Sequence, residues 1–131
     1  MSDKTTWAVL GDGVFIRIMV NSGQGNRLVP LRANDFEHTS KLTYQMITDK
    51  PRKEGTGEWD YYQLLSGFLA GQHEEQAFDR LVLVAPEAVL KSMREALPKE
   101  VSGVVTGELG EDLLAKSVDV IEKKLEDLIT R

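Results

Sequence analysis

The run Leu81-Val82-Leu83-Val84 constrains this chain more than any other stretch. Four consecutive apolar, β-favouring residues leave no polar face. A strand built from them has both faces buried, as in the centre of a helix-covered sheet. Phe78, Asp79 and Arg80 lead into the run, and Ala85-Pro86 turns the chain out of the sheet after it. Pro86 suits the first position of a following helix, where a missing N–H costs nothing. The other elements are read as cover or continuation for this strand.

A length of 131 residues fits one domain spanning 1–131 and can bury a core without staples. The apolar share of 41% places the chain among globular rather than disordered sequences. There is no cysteine, which excludes disulfides, thiolate nucleophiles and cysteine metal sites, and fits a cytoplasmic protein. Met1 to Thr6 is polar with no secretory apolar stretch behind it, and the apolar runs are strand-sized, so no membrane association is expected. The net charge of −5 argues against broad, non-specific nucleic-acid binding, which needs an excess of Lys and Arg.

Taken in order, Trp7 to Leu10 reads as a strand, Gly11-Asp12-Gly13 as a tight turn, and Val14 to Asn21 as a second strand with Arg17 embedded in it. Ser22 to Asn26 has the composition of a hairpin loop. Arg27 to Leu31 gives a third strand, placed at an edge by Pro30. From Asp35 to Glu58 the periodicity fails, apart from a short alternation at Leu42, Tyr44, Met46 and Ile47. The polar, turn-rich stretch at about 49–57 is expected to be a mobile loop.

Asp60 can cap a helix whose Tyr61, Leu64, Leu65, Phe68, Leu69 and Gln72 share a face. Gly67 and Gly71 weaken that helix and offer close approach to a sheet. After Pro86, the residues Val89, Leu90, Met93 and Leu97 mark a second helix, stopped by Pro98. Val101 to Thr106 reads as the fifth strand. Ser117 is an N-cap for a last helix striped by Val118, Ile121, Leu125, Leu128 and Ile129.

The order β-β-β-α-β-α-β-α, with right-handed parallel crossovers, predicts an α/β fold. Its mixed five-stranded sheet is ordered 3-2-1-4-5, with helices on both faces, as in ribonuclease H-like folds.

That ordering invites a search for two-metal carboxylates, which must converge from neighbouring strands. Neither the first strand nor the central one carries an acidic residue inside, and Asp12 sits beyond its strand. No metal site, catalytic residue or cofactor is therefore assigned. His38 has no identifiable orienting carboxylate, and His73 suits a helix C-terminus. Neither Gly11-Asp12-Gly13 nor Gly23-Gln24-Gly25 extends to a nucleotide fingerprint. Lys50, Arg52 and Lys53 form the densest basic cluster, with Arg27 and Arg32 candidates to join it at the sheet edge. Trp59 follows the cluster and offers a stacking surface; Tyr62 is expected to be exposed as well, and Tyr61 to be core.

With these pieces in place, the chain resembles the bacterial host attachment protein family. Phe78 to Pro86, followed by Val89-Leu90 and Ala96-Leu97-Pro98, is similar to that family's core run. Trp7 to Gly13 with Arg17-Ile18, Asp49-Lys50-Pro51, and Glu108-Leu109 with Asp112-Leu113 resemble its other motifs. Two departures stand out: the segment after Pro51 is short and lacks histidine, and Leu114 stands where the family often has threonine. The resemblance implies a distant relation to the middle domain of archaeal and eukaryotic peptide-release factors, whose chemistry rests on a Gly-Gly-Gln loop. Ser22-Gly23-Gln24-Gly25 lacks the first of those glycines, and release activity is not carried over.

The expected function is that of a non-enzymatic, host-attachment-type interaction module. Its exposed loop and outer sheet edge would bind a protein partner. The alternative is a translation-associated module contacting RNA or the ribosome through Lys50, Arg52, Lys53 and Trp59.

Overall fold

A computed structural model describes residues 4–13, 15–23, 25–32 and 57–129, the side chains of 57–61 excepted. Among these residues there are five strands: β1 (Thr6–Gly11), β2 (Ile16–Asn21), β3 (Val29–Pro30), β4 (Arg80–Val84) and β5 (Val105–Leu109). The sheet order is β3-β2-β1-β4-β5. β1 pairs antiparallel with β2 and parallel with β4, and β4 pairs parallel with β5. The predicted strand order and directions hold.

Among the described residues, four helices cover this sheet: α1 (Gly57–Glu74), α2 (Glu87–Ala96), α3 (Lys99–Ser102) and α4 (Val118–Ile129). Successive residues of β1 and β4 alternate between two cores, as the pleat requires. Trp7, Val9, Leu81 and Leu83 face Leu65 and Leu69 of α1, Leu90 and Met93 of α2, and Val101 of α3. Ala8, Leu10, Val82 and Val84 face the other way, toward Ile121, Leu125 and Ile129 of α4. Every residue from Leu81 to Val84 is fully buried, so each valine there contributes about 1.5–3 kcal/mol of transfer free energy. On the first face Trp7 stacks on Phe68 with ring centroids 6.2 Å apart and meets Phe78 at 4.8 Å.

Several boundaries differ from the sequence reading. Pro86 is the residue before α2 rather than its first; its carbonyl accepts the Leu90 N–H at 2.8 Å. Val101 belongs to α3, not to the fifth strand, so the element order gains a helical turn. Pro98 starts that turn, with its carbonyl accepting from Val101 and Ser102, and it sends Val101 into the core. β5 begins only at Val105 and carries an irregularity, since Leu81 pairs with Val105 but Val82 pairs with Gly107. The extra residue, Thr106, has the two-against-one count of a β-bulge.

α1 starts at Gly57, ahead of the expected cap at Asp60. Its buried face runs through Tyr62, Leu65, Phe68, Leu69 and Gln72. Tyr62 is 5% exposed, which corrects the expectation that it faces solvent. The helix ends as expected beyond His73. Gln76, at φ 63°, closes it with Ala77 N–H donating to the Gln72 carbonyl at 2.9 Å.

The expected close approach at Gly67 and Gly71 does not occur: a Cβ at either position would meet nothing within 4 Å. The close approach lies instead at Gly107, where a Cβ would come within 2.8 Å of Leu128. α4 therefore rests on β5 through a missing side chain. Gly67→Ala and Gly71→Ala are expected to stabilise the fold by about 0.5–1 kcal/mol each, because a methyl group restrains the unfolded chain without a clash. Urea unfolding of the two variants checks this; a lowered midpoint in both would mean that the glycines serve packing after all.

Candidate functional site

Lys50, Arg52 and Lys53 lie outside the described residues, as does the expected mobile loop up to residue 56. Trp59 falls in the first turn of α1, but its side chain is not described, and the same holds for Tyr61. The segment carrying the basic cluster lies between β3 and α1. Arg27 and Arg32 flank β3 on either side, and both are exposed.

The loop next to β3 is built with care. Asn21, 1% exposed, donates from Nδ2 to the carbonyls of Gly25 at 3.1 Å and Arg27 at 2.8 Å. Its Oδ1 accepts the Gly23 N–H at 3.0 Å. Gly23 (φ 101°) and Gly25 (φ 57°) supply the left-handed backbone that this wrapping requires. α4 holds the same loop from outside. The Glu122 carboxylate accepts the Leu28 N–H at 2.7 Å, and the Glu122 carbonyl accepts from Asn26 Nδ2 at 3.3 Å. A buried, fully bonded asparagine of this kind specifies one loop conformation. Composition indicated the loop but not the fastening.

At the opposite end of the sheet the space near the β1 and β4 C-termini is occupied. Asp12 takes up the Phe15 N–H at 2.8 Å, an ordinary turn contact. Gly13, at φ 95°, lies so close to α2 that a Cβ would meet Val89 at 3.3 Å. A Cβ on Gly110 would collide with the Glu87 carboxylate. Arg17 Nη1 donates to the carbonyls of Leu114 at 3.0 Å and Lys116 at 3.1 Å, fixing the connection between β5 and α4. Arg94 grips Glu108 of β5 with two nitrogens, and that hydrogen bond, followed by the carboxylate's charge, holds its pKa above the ordinary arginine value. The arginine is thus charged throughout the working pH range.

Among the described residues no group of three or more His, Asp or Glu is placed to hold a metal ion. His73 stands 5.7 Å from the Phe78 ring. With Glu74, Gln76, Glu100, Ala70 and Val101 it lines a depression of about 620 Å³. No described helix is long and apolar enough to cross a membrane.

Part of this sheet, the central strand β4 with its neighbour β5, lies within a match to a known family. The family model of bacterial archaeo-eukaryotic release factor family 12 matches residues 45–125. The chain belongs to that family. The match runs from the segment before Lys50 through α1, β4, α2, α3 and β5 into α4. It bears out the distant release-factor relationship that the host-attachment resemblance implied; the host-attachment role itself is not part of the match. No curated protein matches the chain.

Proposed function

We propose that this family 12 domain is a translation-associated, non-enzymatic module that contacts ribosomal RNA through Lys50, Arg52 and Lys53, with Trp59 as a stacking surface. The observation that carries the reading is the family match itself. The family's description is that of release factors, and the matched residues 45–125 include all four side chains. Arg27 and Arg32, exposed at the two ends of β3, lie in the chain just before the segment that carries them. A cytoplasmic location and a single domain over 1–131 go with this reading.

The protein-binding alternative relied on the exposed loop and an outer sheet edge, and among the described residues both edges are poor templates. β3 is two residues long and ends at Pro30, while β5 is bulged and carries Glu108. Short strands, proline, bulges and charge are the devices that keep edges from pairing.

Replacing Lys50, Arg52 and Lys53 together with Gln tests the proposal. The parent is expected to bind ribosomes or ribosomal RNA in an RNase-sensitive pull-down. Its affinity should fall steeply with salt, since each single-strand phosphate contact contributes about 0.7 to the slope of log K against log salt. The variant should fold like the parent and lose up to about 2 from that slope, three contacts at about 0.7 each. Equal affinity and equal slope in the two proteins would overturn the basic-cluster reading. Binding by neither would overturn the RNA reading as a whole.

A further inference from the structure

We draw no further inference here: the strongest candidate, the exposed Gly67-to-Gly71 face of α1 beside the depression lined by His73, Glu74 and Glu100, is a stripe of small residues next to an acidic cluster, and nothing in the structure shows what covers it.

Discussion

Val82→Asp and Val84→Asp are each expected to abolish folding. Both valines are fully buried and point into the core between the sheet and α4. Their neighbours there are Ala8, Leu10, Met19, Leu113, Ile121 and Leu125, and none of these side chains offers a hydrogen bond or a positive charge. A carboxylate in that place must stay ionised without a partner or take up a proton and remain unsatisfied, and both cost several kcal/mol. The loss should exceed about 4 kcal/mol, a large share of the ~5–15 kcal/mol that holds such domains together. Soluble yield and far-UV circular dichroism report the outcome. A cooperative melt at the parent's temperature for both variants would remove β4 from the centre of the sheet.

Leu125→Ala is the next largest expected effect, at about 2–5 kcal/mol. Leu125 is fully buried at the middle of α4, between Ile121 and Ile129 on the same face. α4 is the only described helix whose residues enter the second core, so no other described helix can collapse into a cavity opened there. The cost should fall toward the upper part of that range. Chemical denaturation gives the number directly. A change below about 0.5 kcal/mol, typical of surface positions, would show that α4 rides on the sheet without holding it.

What could be read from the sequence follows from how local each signal is. Leu81 to Val84 announced a central strand because an all-apolar run has no alternative use for its second face. The sheet order then followed from the chain's connections, since a strand reached through a helix must be parallel. α1 was placed with its face, since Leu65, Phe68, Leu69 and Gln72 are buried as expected; Tyr62, an aromatic beside that stripe, is buried with them, which periodicity alone did not say. Val101 misled for a related reason. Its β-branched run looks like a strand, but Pro98 starts a helical turn first and the core takes Val101 from that turn.

The roles of Arg17 and Asn21 left no signature, because what they bind is backbone: carbonyls for both, and the Gly23 N–H as well for Asn21. For Arg17 those carbonyls lie 97 and 99 residues further along the chain. The candidate RNA contacts are the opposite case. Lys50, Arg52 and Lys53 are visible as a charge cluster, but a cluster in sequence carries no geometry.

Glu122 gives the molecule a property that neither of its partners has alone. It lies 94 residues from Leu28 and 96 from Asn26, and it ties the β2–β3 loop to the last helix. A hairpin loop ordinarily opens by itself at low free energy. Here, freeing it also breaks its ties to α4, and undocking α4 removes two of the loop's fastenings. Two segments from opposite ends of the described chain are therefore expected to open together, as one cooperative unit. Anything that loosens the final helix will also slacken the far margin of the sheet, next to Arg27.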